Sequence, residues 1–176
     1  MLCPPRSLAA LLAAHDRLRA AGVDHLVVGG CARALLDEAP AAGRRPRDVD
    51  LEVSPADVAR AGAALGARVF ERADAAITSL QAGLVVAGVE VDVGAIAEVR
   101  GPLGTLAGDW GRQWGARRTV LLAGRTLAVG PTAEMIARAL VAGDGARLLR
   151  CGGAGPWPDP GYVAARVAAA ISSATS

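Results

Sequence analysis

The 176-residue sequence is poor in cysteine, lacks any long apolar run and shows almost no excess of charge of either sign. Its three cysteines, Cys3, Cys31 and Cys151, are odd in number, widely separated and without CxxC or CxxH spacing. That excludes a disulfide framework and a zinc site, and leads us to expect a reducing, cytoplasmic setting. The opening MLCPPRSLAALLAAHDRLRA holds an apolar run of only eight residues before His15 and Asp16. This is too short for a membrane span and a poor secretion signal, so an amphipathic helix packed on a sheet is expected, with no membrane partner. Nineteen basic residues, all of them arginine, oppose seventeen acidic ones, a formal charge of +2. A balance so near neutrality argues against a protein that grips long nucleic acid by its phosphates, although a local arginine patch remains open. No GxGxxG follows the first predicted strand, where GGCARA stands instead, and this disfavours a dinucleotide-binding fold.

What is present reads as interleaved helices and strands. Leu8, Leu11, Leu12 and Leu18 recur at helical spacing up to Gly22, predicting a helix over about 7–20. DHLVV then reads as a strand ending in Gly29 and Gly30, followed by helical CARALLDEA. After Pro40, Gly43 and Pro46 the alternating DVDLEV reads as a second strand, and ADVARAGAAL as a further helix. ARVFER, TSLQAG and LVVAGVEVDVGAI are expected to be strands separated by glycine turns. Residues 118–130 suggest a hairpin around Ala123-Gly124, PTAEMIARALVAG a helix, and YVAARVAAAISSATS a terminal helix after the turn-rich GGAGPWPDPG. The expected fold class is α/β of the α+β kind, a mixed β-sheet with helices packed on it. At this length one domain is expected over 1–176, with a core at about 7–100 and a C-terminal hairpin and helices at about 101–176.

The acidic residues carry the chemistry. Side chains alternate along a strand, so Asp48, Asp50 and Glu52 share one face while Val49, Leu51 and Val53 share the other. Successive residues on one face lie about 6.5 Å apart, near enough for Asp48 and Asp50 to lean toward one divalent ion. Adjacent carboxylates raise each other's pKa unless positive charge offsets them, and magnesium supplies such charge. VEVDVG presents Asp92 in the same alternating fashion from a further strand. Three carboxylates of this kind suit a two-metal arrangement, with ions about 3.5 to 4 Å apart, for in-line displacement at phosphorus. A strand ending in Gly29-Gly30 before a helix lets backbone amides approach a phosphate.

These residues resemble the nucleotidyltransferase superfamily built on the DNA polymerase beta catalytic fold. VVGG, then DVDLEV, then VEVDV follow that family's order over roughly the first hundred residues. The resemblance implies that Gly29 and Gly30 hold a nucleoside triphosphate and that Asp48, Asp50 and Asp92 are the catalytic residues and bind two magnesium ions. The interval from Gly30 to Asp48 and the basic lead-in RRPRDVDL are similar to the branch that adenylylates aminoglycosides or lincosamides. In that branch a helix after the core usually carries a lysine, and Arg138 stands near that place here. The CCA-adding enzymes have Arg-Asp after the glycines, whereas this chain keeps Arg33 and has Ala34.

The expected function is metal-dependent transfer of a nucleoside monophosphate from a nucleoside triphosphate to an acceptor hydroxyl, on a small molecule rather than nucleic acid. The alternatives are a nucleotidyltransferase-like partner in a toxin and antitoxin pair, acting on protein or tRNA, and a catalytically silent nucleotide-binding module. Arg33 and Arg47 are candidate nucleotide ligands, with Arg44 and Arg45 evenly balanced between phosphate and solvent. Glu52 and Glu90 share the acidic faces and are candidates for a general base, but are read first as solvated strand residues, with the base left unassigned. Trp110 and Trp114, four apart, are read as packing residues or an aromatic wall for an acceptor or a base. His15 and His25 carry no ligand spacing.

Overall fold

The computed structural model describes residues 3–38, 45–152 and 159–173. The first helix, α1 (Pro5–Ala20), buries Leu11, Leu18, Ala10 and Ala14, the stripe that the leucine spacing predicts. It leads into β1 (His25–Val28) and α2 (Gly29–Leu35). The second helix is shorter than CARALLDEA suggests, because Asp37 adopts a left-handed backbone at φ 56°. Arg44 and most of GGAGPWPDPG lie outside the described residues.

Strand β2 (Val49–Val53) starts one residue after Asp48, which occupies a bend. A single 3-10 turn at Pro55–Asp57 leads into α3 (Val58–Leu65), which buries Val58, Ala61, Gly62 and Leu65 and stops at Gly66 in the left-handed region. Next come β3 (Val69–Ala73), β4 (Ile77–Val86) and β5 (Val89–Gly101). The expected strand LVVAGVEVDVGAI is therefore two, folded back at Ala87-Gly88. Both turn residues have positive φ, 51° and 78°, the twist that a two-residue hairpin prefers. Ala123-Gly124 repeats the device between β7 (Arg118–Leu122) and β8 (Arg125–Val129), where the hairpin was expected.

Between β5 and β7 lies a segment for which the sequence pattern predicts no specific element. It forms β6 (Gly104–Ala107) and a short α4 (Trp110–Gly115), whose first turn is capped by Asp109 Oδ1 accepting from the Arg112 amide at 2.9 Å. The chain ends in α5 (Thr132–Ala142), α6 (Gly145–Gly152) and α7 (Pro160–Ser173).

The strands form one mixed sheet in the order β3-β4-β5-β2-β1-β8-β7, with β6 paired to β5. β2 runs antiparallel to β1 and parallel to β5. Val49, Leu51 and Val53 of β2 and Val91 and Val93 of β5 join α1 and α3 in one hydrophobic cluster. A second cluster joins α5 and α7 to Val99 of β5 and Leu106 of β6. The apolar halves of the two acidic strands are thus spent on the first cluster, and their acidic halves face the other way. No helix among the described residues is long and apolar enough to cross a membrane.

His15 and His25, which lack ligand spacing, pair with each other inside this core. The Val23 carbonyl accepts from His25 Nδ1 at 3.0 Å, so Nε2 of neutral His25 is the acceptor for His15 Nδ1 at 2.9 Å. Burial is the main cause holding both imidazoles below the ordinary histidine range. A histidine whose folded pKa is depressed contributes stability above its unfolded value near 6.5 and loses it as pH falls below that. Between pH 6.5 and 5 the wild type should therefore lose unfolding free energy, measured by urea titration, relative to a His15→Phe, His25→Phe double variant. A difference between the two that does not change with pH would refute this account.

Candidate functional site

Parallel pairing of β2 with β5 places Asp50 opposite Asp92, with Val49 opposite Val91 and Leu51 opposite Val93. The two carboxylates therefore stand side by side on the face turned away from the first hydrophobic cluster. A cleft opens over this face, with Asp50, Asp92, Ser79 and Gln81 on the sheet side and Met135, Arg138 and Arg147 on the helical side. Gly29 lines it too. Asp48 sits exposed at the bend before β2, and its charge acts on both Asp50 and Asp92.

The electrostatics follow from that crowding. Burial first, then the neighbouring charges of Asp48 and Asp92, push the Asp50 pKa up to about 6, and Arg147 opposes them. Burial also raises Asp92, with Glu90 and Asp48 adding to it and Arg72 opposing. Arg147 and Arg72 offset this crowding only in part, so the cluster is short of counter-charge. Hard carboxylate oxygens are the donor type that magnesium prefers, so the chemistry of the set fits that ion. The side chains as they stand are not a ready-made cage: among the described residues no three His, Cys, Asp or Glu side chains gather closely enough to hold a metal.

The glycine pair has a steric reason at its first member. Gly29 turns the chain from β1 into α2 at φ 66°, and a Cβ there would lie 2.1 Å from Asp50 Oδ2. A side chain there would have to displace the Asp50 carboxylate, and an L residue would also be strained at that φ. At Gly30 a Cβ would meet Pro46 Cβ at 3.1 Å, a far milder contact. Gly29→Ala should thus lower stability by roughly 2 kcal/mol or more, measured by urea unfolding. Gly30→Ala should keep most of it. Equal behaviour of the two variants would show that the Asp50 contact is irrelevant.

The other predicted residues are dispersed. Arg33 is half-buried on α2; Arg45 and Arg47 are exposed before β2. Trp110 and Trp114 stack on each other with centroids 5.3 Å apart, and Arg117 lies over the Trp114 ring at 4.3 Å. Among the described residues neither tryptophan lines the cleft.

Glu52 is a correction. Rather than being solvated it is buried, and Arg138 Nη1 and Nη2 donate to its two oxygens at 2.9 and 2.8 Å. Gln113 Nε2 donates to Oε1 at 2.8 Å. Arg138 Nε reaches Glu134, which also accepts from Arg166 and from the Tyr162 hydroxyl. Burial pushes Glu52 upward, but the Arg138 charge and these hydrogen bonds prevail and hold it below the ordinary range. A carboxylate so committed is no general base. Arg138, near the place where the resemblance puts a lysine, is likewise engaged.

Sequence reasoning missed Gln113, Glu134 and Arg147. Glu134 and Arg138 stand four apart in an otherwise apolar helix, a legible ion-pair signal. Asp109 before Trp110 is a capping signal for the helix that carries Gln113.

No protein-family model matches the sequence, and no curated protein matches it. The structure is similar to the crystal structure of "a putative nucleotidyltransferase" from Thermotoga maritima, with a TM-score of 0.61 over 73% of this chain and 79% of that chain, at 19% sequence identity. The fold is nucleotidyltransferase-like. Within a nucleotidyltransferase-like fold, the side-by-side Asp50 and Asp92 and the glycine turn against them are the chemically distinctive features of the cleft.

Proposed function

We propose that the protein transfers a nucleoside monophosphate from a nucleoside triphosphate to a hydroxyl of a small molecule. The acceptor oxygen bonds to the alpha phosphorus, the hydroxyl releases its proton, the bond to the bridging oxygen breaks and pyrophosphate leaves. The observation that carries this reading is the register of Asp50 with Asp92 beside the Gly29 backbone. Asp48, Asp50 and Asp92 would hold magnesium, which when bound supplies the charge that stabilises the developing phosphate oxyanions. Gly29 leaves room for the Asp50 carboxylate beside the backbone, and Gly29 and Gly30 with Arg33 and Arg47 would surround the phosphate chain. A small acceptor suits a chain with a formal charge of only +2.

Incubation with each labelled triphosphate, magnesium and candidate acceptors, followed by mass analysis, tests the reading. Asp48→Asn and Asp50→Asn should each remove metal-dependent turnover and leave the circular dichroism spectrum unchanged, because neither belongs to the hydrophobic clusters. Retained turnover in both would dismiss the metal assignment. Adducts on RNA or protein would redirect the acceptor, and nucleotide binding without pyrophosphate release would leave a silent binding module.

A further inference from the structure

Two basic side chains among the described residues line the cleft, Arg138 and Arg147, and they differ in how much of their charge is already committed. Arg138 is buried and bonded through all three guanidinium nitrogens, to Glu52 through Nη1 and Nη2 and to Glu134 through Nε. Detaching it would strand buried carboxylates at large cost. Arg147 is half-exposed, and among the described residues its ion pair, to Asp144, is long at 3.9 Å with both side chains about two-fifths exposed, 43% and 39%. A pair of that kind is worth little, so the guanidinium re-aims easily. Its backbone is well placed all the same. The Asp144 carboxylate accepts from the Arg147 amide at 2.8 Å, fixing the start of α6 and hence where this side chain leaves the helix.

We propose that Arg147, across the cleft from Asp50 and Asp92, grips the phosphate chain of the nucleoside triphosphate. The inference rests on the transfer reading above and names a residue for it. A polyphosphate entering beside acidic side chains meets like charge, and a guanidinium on the facing wall offsets that repulsion and offers paired N–H donors to phosphate oxygens. Without ligand the same cation serves as partial counter-charge to Asp50.

The test is calorimetric titration of the full chain with magnesium tripolyphosphate, which carries the phosphate chain without a base. Arg147→Met should weaken binding roughly ten-fold or more, with Arg147→Lys intermediate. The loss should be much smaller for orthophosphate, since fewer oxygens reach the arginine. Wild-type affinity for tripolyphosphate in Arg147→Met would overturn the inference, as would an equal loss for orthophosphate, which a mere counter-ion of Asp50 would give. If the wild type binds neither tripolyphosphate nor any nucleoside triphosphate, the transfer reading itself fails, a result distinguishable from the first. Circular dichroism of each variant confirms that the fold is kept.

Discussion

Arg138→Met is expected to destabilise the protein by about 3 to 5 kcal/mol, the cost of leaving buried charges without their partner. Arg138 neutralises Glu52 on β2 and shares Glu134 with Arg166, so two carboxylates and two guanidiniums balance inside the fold. Burial works against the charged form of Arg138, yet the Glu52 charge and hydrogen bonds dominate and hold its pKa above the ordinary arginine value. Removing the guanidinium strands Glu52, which among the described residues then keeps Gln113 as its hydrogen-bond donor. Glu134 keeps Arg166 and Tyr162 and is affected less. Pairing the change with Glu52→Leu removes the stranded charge, so the double variant should be more stable than Arg138→Met alone despite carrying more substitutions. Urea unfolding at pH 7 of both single variants and the double closes the cycle and gives the coupling. A loss below 1 kcal/mol for Arg138→Met, or simple additivity, would mean that the network contributes no more than a surface pair.

Asp50→Asn should raise stability at pH 8 in metal-free buffer while removing the proposed transfer. The folded pKa of Asp50, about 6, lies above its ordinary 3.8. Such a group's favourable contribution is complete below the unfolded value and is lost as pH rises through the folded one, because the unfolded chain gives up the proton first. Wild type is therefore penalised above pH 6 by about 2 kcal/mol, allowing for partial solvent screening, and the variant is not. At pH 3.8 or below the two should converge. Taking the difference between wild type and variant also cancels the opposite pH trend of His15 and His25. Adding magnesium should stabilise the wild type through binding and leave the variant nearly unmoved. A variant less stable than wild type at pH 8 without metal would show that the cluster is not under electrostatic strain.

The same strand shows how far sequence reaches. The alternation in DVDLEV correctly separates Val49, Leu51 and Val53 from Asp50 and Glu52, because period two is a property of extended backbone. It does not tell Asp50 from Glu52. Asp50 lines a cleft and resists ionisation, whereas Glu52, two residues on, is fully ionised in a buried network. The difference comes from Arg138, 86 residues away, which α5 lowers onto one end of the face and not the other. In β4 the reading failed for a local reason. Gly83 was taken as a turn, but it continues the strand opposite Asp92, where a Cβ would lie 2.9 Å from Asp92 Oδ1. A strand glycine and a turn glycine look alike until the partner strand is in place.

By itself, then, the sequence determined the local pattern: the helical stripe of α1, the glycine entry to α2, the type and face of β2 and β5, and the hairpin before α5. These follow from backbone periodicity and from the steric freedom of glycine, which act within a few residues. Only the tertiary structure decided that β2 and β5 are parallel neighbours, that Glu52 is neutralised, and that Arg147 faces the acidic cleft. Those outcomes depend on burial and charge contributed by segments far apart along the chain, and such energies exist only once the segments meet.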